Sequence, residues 1–307
     1  MADPLTIQEF ADLADQRFGE IADGVEERRP DMIPDLYTKR DSNLVTERGS
    51  ALTPMGPLQI FTGVGRISTD GPDQGFDWSA THVEKALGIE IQRRLWRFDL
   101  FSMIEDTWEL LLDSAFETRQ VDAAEIFNEG HSITSLLNFT HSRNEAMFAN
   151  THSPPDSTVG TIGTDNLMTS SLSRTSLNSA RTTALTFRDD RGRVRGFPLD
   201  TLIIPPNLLP TAEVLIKSDK EPDTNLNAIN PNADRFQIVV WDQLTDTNDY
   251  LLVNKQRLKE RLRWFEADAV EIQRVLDYET QIAKYAAYTQ YTTAWTDWRV
   301  GIKATVT

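Results

Sequence analysis

Apolar residues recur along this chain with two periods, and the switches between them divide it into helices and strands. Over residues 5–25, Phe10, Leu13, Phe18 and Ile21 return at roughly helical spacing among acidic neighbours, which predicts an amphipathic helix ended by Pro30 and Pro34. A longer helix is predicted over 102–128. Asp99 or Ser102 can cap it, and Ile104, Trp108, Leu111, Leu112, Ala115, Ala123, Ile126 and Phe127 keep the period as far as Asn128 and Gly130. At about 1.5 Å per residue it would run roughly 40 Å, the spine of a flat, elongated body. Shorter helices are predicted within 172–187, with Leu177, Ala180, Ala184 and Leu185 inward, and over 208–217 behind Pro205-Pro206.

Strand periodicity appears over 85–96, where Leu87, Ile89, Ile91 and then Leu95 face away from Gly88, Glu90, Gln92 and Arg94. Residues 59–67 and 76–83 read as a long hairpin around the turn residues Asp70-Gly71-Pro72-Asp73-Gln74-Gly75. Its flanks have little to bury, so it is expected to project and to need another chain. The apolar run 201–204 reads as a buried strand, and 235–241 and 250–253 as strands split by a turn at 245–249. Strands are predicted over 263–278 and 298–306, with a short segment over 283–291 between them. The polar stretch 40–58, punctuated by Gly49, Pro54, Gly56 and Pro57, reads as an extended arm, and 150–166 and 219–234 as loops. Mixed strands and helices with projecting extensions predict an α+β subunit that oligomerises.

Composition narrows the chemistry. The 307 residues carry a formal charge of −16, from 31 Lys+Arg against 47 Asp+Glu, so any contact with nucleic acid should be loose. The first residues lack a basic start and an apolar run, and no apolar stretch approaches the roughly 18 residues of a membrane helix. The expected compartment is therefore the cytoplasm, with no membrane partner. The absence of cysteine excludes disulfides, thiolate metal sites and cysteine nucleophiles.

Candidate catalytic features are weak. Of the four histidines, His131, His141 and His152 are about ten residues apart, not the three or four that bring ligands to one helix face, and they read as polar loop residues. Gly63-Val64-Gly65 lacks the third glycine of a dinucleotide fingerprint. Neither a nucleophile elbow nor a phosphate loop is present. Asp189 with Asp190, or Glu266 with Asp268, could do acid–base work, but in so acidic a chain they read as solvated carboxylates. No cofactor is expected. Two basic clusters stand out: Arg188, Arg191, Arg193 and Arg195, and then Lys255, Arg257, Lys259, Arg261 and Arg263. They read as a turn and a charged strand edge that could pair with acidic faces of neighbouring subunits. Trp78, expected on the exposed hairpin, reads as an interface aromatic.

From residue 125 to about 300 the chain resembles the Mu-type major head subunit family, a branch of the Hong Kong 97-type capsid proteins of tailed bacteriophages. The resemblance runs through Met147-Phe148-Ala149-Asn150-Thr151-His152-Ser153, Asn166-Leu167, Leu172-Ser173 and Phe187-Arg188-Asp189-Asp190-Arg191-Gly192-Arg193. It continues in Leu202-Ile203-Ile204-Pro205-Pro206-Asn207-Leu208, Ala212-Glu213-Val214-Leu215, residues 236–241, Leu244, Asp249-Tyr250-Leu251-Leu252 and the aromatic stretch 285–298. It implies a Hong Kong 97-type fold: an N-terminal arm (1–50), an extended hairpin loop (51–85), a peripheral domain (86–150 and 256–285) with its spine helix, and an axial domain (151–255 and 286–307).

The resemblance further implies a capsid protein of the virion that self-assembles in the host cytoplasm into pentamers and hexamers of an icosahedral shell around double-stranded DNA. Arg66, Trp78, Arg188, Arg191, Arg193, Arg257, Arg261 and Arg263 are the residues expected at subunit interfaces. Some relatives crosslink through a lysine on the extended loop, yet residues 56–84 contain none, so locking is expected to be non-covalent. With no long removable N-terminal domain evident, a separate scaffold protein is expected, along with a portal and an optional cementing or decoration protein. The competing readings are an encapsulin-like cage and a carboxylate-dependent hydrolase, the latter requiring a deep pocket with perturbed carboxylates.

Overall fold

The computed structural model describes residues 31–61, 63, 65–92, 101–132, 138–154, 165–220, 229–277, 279 and 282–306. The helix expected over 5–25 lies outside them. In chain order the elements are α1 (Ile33–Leu36), β1 (Thr38–Asp41), β2 (Thr46–Leu52), β3 (Gln74–Thr81), β4 (Val83–Gln92), α2 (Phe101–Glu129), β5 (Phe139–His141), β6 (Leu167–Met168) and α3 (Arg174–Leu185). Then follow β7 (Thr201–Ile204), a 3₁₀ turn (Pro206–Leu208), α4 (Leu209–Lys217), β8 (Gln237–Val240), β9 (Tyr250–Val253), α5 (Lys255–Arg261), β10 (Leu262–Asp277), β11 (Ile282–Trp295) and β12 (Gly301–Ala304).

Three sheets result. One has the order β6-β12-β9-β7-β8, and every residue of β7, β9 and β12 is buried, including Lys303 in β12. Strands β7 and β8 are parallel, so a crossover must join them, and it contains α4. Helix α3 starts at a reciprocal cap in which Ser173 and Ser176 satisfy each other's backbone N–H, and it turns Leu177, Ala180 and Ala184 into the core. The second sheet, β1-β10-β11-β4, is built on the long antiparallel pair β10 and β11. The third is β2-β3-β5.

Helix α2 ties these parts together. Near its start Trp108 and Leu112 pack on Ile91 of β4 and on Ala283 and Tyr285 of β11, forming a small separate cluster. Towards its end Ala123, Ala124, Ile126 and Phe127 enter the main core. Between them Arg119 binds Glu266 at 2.7 Å, and Asp122 accepts from Tyr291 at 2.6 Å and from Lys85 at 2.5 Å, which fixes the helix to the second sheet. At its C-terminus the buried Lys303 of β12 donates to the Asn128 carbonyl at 2.5 Å and lies 3.0 Å from His131 Nδ1 and 3.4 Å from Asp249. A cation at this end of a helix satisfies an orphan carbonyl and complements the helix dipole.

Several expectations need correction. The hairpin exists, but its first strand is β2 and not 59–67, so part of the expected arm is paired and residues 53–73 form the long connection. Strand β1 adds a parallel edge to β10. Strands β8 and β9 are not neighbours, because β7 lies between them. The basic stretch expected as a strand edge is helix α5, capped by Asn254. Its single buried side chain, Leu258, gives no readable period. The short segment over 283–291 is part of the 14-residue strand β11, whose inward positions include Ala283, Ala287 and Thr289, too weakly apolar to mark alternation.

Replacing Lys303 with Met would leave the Asn128 carbonyl and Asp249 without their cation. It is expected to cost about 2–4 kcal/mol, read as a lower urea midpoint at unchanged slope.

Candidate functional site

The β2–β3 ribbon is held to the body by Trp78. Its indole lies against Gly49 on the paired strand, where an added Cβ would stand 2.7 and 2.8 Å from ring atoms, so only glycine fits there. The ring stacks on Phe265 at 6.0 Å, and the Arg263 guanidinium lies 5.5 Å from its centre. Trp78 is thus buried inside its own chain, at 6% exposure, and the expectation of an exposed aromatic is corrected. The sequence does not reveal that Gly49 provides a slot for it.

Beyond the ribbon, the described residues of 53–73 are pinned at their base. Thr53 and Asp73 exchange hydrogen bonds at 2.9 Å, and Asp70 accepts from Gly56 N–H at 2.5 Å and from Arg191 at 2.7 Å. Those donors, Gly56 first and then Arg191, hold the Asp70 carboxyl below its usual range. Further out, Met55, Leu58, Ile60, Phe61 and Ile67 are exposed, Leu58 and Ile60 almost completely. Arg66 stands in this exposed stretch, apart from the other expected arginines.

Of those other arginines, Arg257, Arg261 and Arg263 line one groove, whereas Arg188, Arg191 and Arg193 stay within the neighbouring turn, which gives the groove Arg195 instead. The turn 188–195 is organised by the buried Asp189, whose Oδ1 accepts from the N–H groups of Arg191 and Arg193 at 3.0 and 2.9 Å, while Gly192 supplies a positive φ. Burial alone would raise the Asp189 carboxyl; the Arg193 N–H and guanidinium and the Arg191 N–H outweigh it and hold it low. Arg193 binds Asp189, Arg188 binds the Gly192 carbonyl, and Arg191 reaches the loop base. Facing this turn, Arg257 of α5 lies over Phe197, and Arg261 and Arg263 follow it.

Between the turn, α5, the ribbon and the ends of β10 and β11 runs a groove of about 760 Å³. Eight arginines line it, including Arg40, Arg48, Arg143 and Arg299, against four carboxylates. Arg143 and Arg299 share Asp190 at 3.6 and 2.6 Å, and Arg299 also binds Asp297 at 3.0 Å. Arg40, Arg48, Arg143 and Arg299 escaped the sequence reading because each is far along the chain from both basic clusters. The groove's Asp189 and Asp297 are held ionised beside arginines, the reverse of what a general acid needs. The other candidate acid, Glu266, is paired with Arg119 and Lys39.

The histidines are not loop residues in the expected sense. His152 is fully buried, stacked on Trp298 at 3.8 Å and bonded to Asn166 at 2.8 Å. His82 is also buried, and His131 meets Lys303. His141 lines the groove, stacked on Trp295 at 4.4 Å. Among the described residues no group of three or more His, Asp or Glu could hold a metal ion, and no helix is long and apolar enough to cross a membrane.

Burial, and then Arg143, push the His141 imidazole down to about 4 against the pull of Asp297, Glu145 and Asp77. That lies below the ordinary value of about 6.5, so between the two the unfolded chain binds more protons and stability falls as pH is lowered. The urea midpoint is expected to drop from about pH 6.5 to pH 4. His141→Phe, which retains a ring on Trp295, should flatten part of that slope, and the buried His82 and His152, shifted the same way, account for more of it. Separately, Gly49→Ala is expected to cost about 1–3 kcal/mol through displacement of Trp78. In a Trp78→Leu background the cost should shrink, which a double-mutant cycle would read as coupling.

A family model described as phage capsid protein matches residues 80–304. Among solved structures, the procapsid of bacteriophage JBD30 aligns over 99% of this chain and 77% of its own, at 10% identity and a TM-score of 0.55. The capsid of cyanophage P-SCSP1u aligns over 89% of this chain and 87% of its own, at 11% identity and a TM-score of 0.58. A virus-like particle from Pyrococcus furiosus aligns over 95% and 98%, at 13% identity and a TM-score of 0.50. No curated protein sequence matches the chain.

Proposed function

The chain belongs to the phage capsid protein family and has the Hong Kong 97-type fold, and on that premise we propose that copies of it form pentamers and hexamers of an icosahedral head enclosing the double-stranded DNA of a tailed phage. The observation that carries this reading is the loop over 53–73. It holds Leu58 and Ile60 out in water, where they bury nothing of their own chain. Apolar side chains held out on a pinned loop mark a surface that another molecule covers, and in a shell of identical subunits that molecule is the next copy.

The Mu-type branch is the subfamily we favour, on the ordered motifs between residues 125 and 300. In this reading α2, β10 and the start of β11 belong to the peripheral domain (86–150 and 256–285), and the five-stranded sheet to the axial domain (151–255 and 286–307). Arg66 lies on the overlapping loop, and the arginines of the 188–195 turn and α5 lie at subunit contacts. The loop lacks lysine between residues 56 and 84, which supports non-covalent locking. A separate scaffold, a portal and a cementing protein complete the set of partners. The acidic subunit would hold packaged DNA only loosely.

A second reading, an encapsulin-like cage, is favoured by the alignment over 98% of the Pyrococcus furiosus virus-like particle chain. The two differ in what copurifies with the shells: DNA in one case, a folded protein cargo in the other.

Electron microscopy of the purified chain is the direct test. Regular shells or capsomers are expected, and a compact monomer at every concentration would overturn the reading. Leu58→Asp with Ile60→Asp should abolish shells while leaving folded subunits by circular dichroism. Undiminished shells from that variant would show that the loop is not the contact.

A further inference from the structure

Five arginines of the groove, Arg40, Arg48, Arg257, Arg261 and Arg263, have no carboxylate within ion-pair distance among the described residues. The remaining three are occupied by Asp189, Asp190, Glu145 and Asp297. Like charges at close range repel, most strongly where water is partly excluded. Arg263 shows both effects: burial, and then Arg40 and Arg261, push its guanidinium below the usual range, and its Nε is shielded from solvent without a hydrogen-bond partner. Concentrating unpaired cations in a chain of net charge −16 is unfavourable unless an anion completes the site.

We infer that this groove receives the acidic N-terminal segment, residues 3–27, of a second copy of the chain. The inference rests on the shell-forming reading above. Residues 3–27 carry eight carboxylates against one arginine, Arg17, and at helical spacing Asp12, Asp15, Asp23 and Glu26 fall opposite Phe10, Leu13, Phe18 and Ile21, with Glu9 and Glu20 at the border. Such a segment offers several carboxylates to guanidinium forks that pair well with them.

The chain's own segment is badly placed for the same groove. The described chain begins at Asp31, which accepts from Gln120 of α2 at 2.7 Å, and by Asp35 it lies 3.4 Å from Lys255. Two residues on, Arg257 points to the opposite side of α5, since successive helical residues are about 100° apart. Helix α5 therefore stands between the start of the described chain and the groove, whereas a neighbour approaches the open side. Nucleic acid fits less well, because a chain of net charge −16 repels a long polyanion far more than a short segment.

A charge swap tests this directly on the full chain. One variant carries Glu9→Lys, Asp12→Lys, Asp15→Lys and Glu20→Lys. The other carries Arg40→Glu, Arg48→Glu and Arg261→Glu, all exposed side chains whose change should not disturb folding. Each variant alone is expected to give about tenfold fewer particles than the unmodified chain, and an equimolar mixture to restore them, because each segment then meets an opposite groove on its partner. Restoration only when both sets sit on one chain would mean docking within a subunit and would overturn the inference. Failure of both combinations would overturn it too, as would a groove variant that forms shells in full yield but loses bound DNA.

A labelled peptide of residues 1–30 reads the contact without particles. By fluorescence anisotropy it should bind the segment-swapped chain, whose own segment no longer competes, and bind the groove-swapped chain at least about tenfold more weakly. Equal binding to both would overturn the inference. If the unmodified chain formed no shells yet the peptide discriminated, the assembly reading alone would fail.

Discussion

Helix α2 must satisfy two separate apolar clusters along one axis, and the way the sheets are joined follows from that requirement. Trp108 and Leu112 anchor it to the far end of the β10–β11 sheet, and Ala123 to Phe127 anchor it in the main core. A single compact core would let a helix end where its apolar face ends. Here the helix has to cross the interval between clusters, and there polar contacts do the fixing: Arg119 with Glu266, and Asp122 with Tyr291 and Lys85. Lys303 then closes the helix end from β12, joining the last strand of the chain to its longest helix. The two clusters and the last strand are thus held to one helix.

The surface is used unevenly. The 53–73 loop carries its apolar residues outward, held at the base by Thr53, Asp73, Asp70 and Arg191. Arg191 comes from the same turn that borders the arginine groove. The loop and groove are therefore mechanically connected through one residue, so whatever covers the loop and whatever fills the groove act on adjoining parts of the structure. Each feature is unbalanced in an isolated chain, one by uncovered apolar side chains and the other by eight arginines against four carboxylates. Imbalance of that kind is what a subunit built for assembly should show.

Electrostatics give the same picture at finer scale. The chain is acidic overall, yet its carboxylates near the groove are consumed by Arg143, Arg193 and Arg299, leaving cations over. The ordering of Asp189 by the backbone of its own turn shows how this arises. Its Oδ1 is taken by the turn's N–H groups and its Oδ2 by Arg193 and Arg195, so it has no oxygen left for the arginines across the groove.

Local patterning determined much of the fold. The long helix, the buried run Thr201–Ile204, the helix before Phe187 and the resemblance through the 188–193 turn were all legible, because each depends on neighbours within a few residues. Strand partnership was not legible. That β2 rather than 59–67 pairs with β3 depends on a glycine accepting an indole from 29 positions away, and that β7 separates β8 from β9 depends on a crossover. Strand β11 hid behind alanine and threonine, whose burial is decided by the sheet and not by their own hydropathy. The basic clusters could be counted in the sequence, but their convergence with Arg40, Arg48, Arg143 and Arg299 could not. A groove is a property of distances between segments remote in the chain, and only the tertiary structure sets those distances.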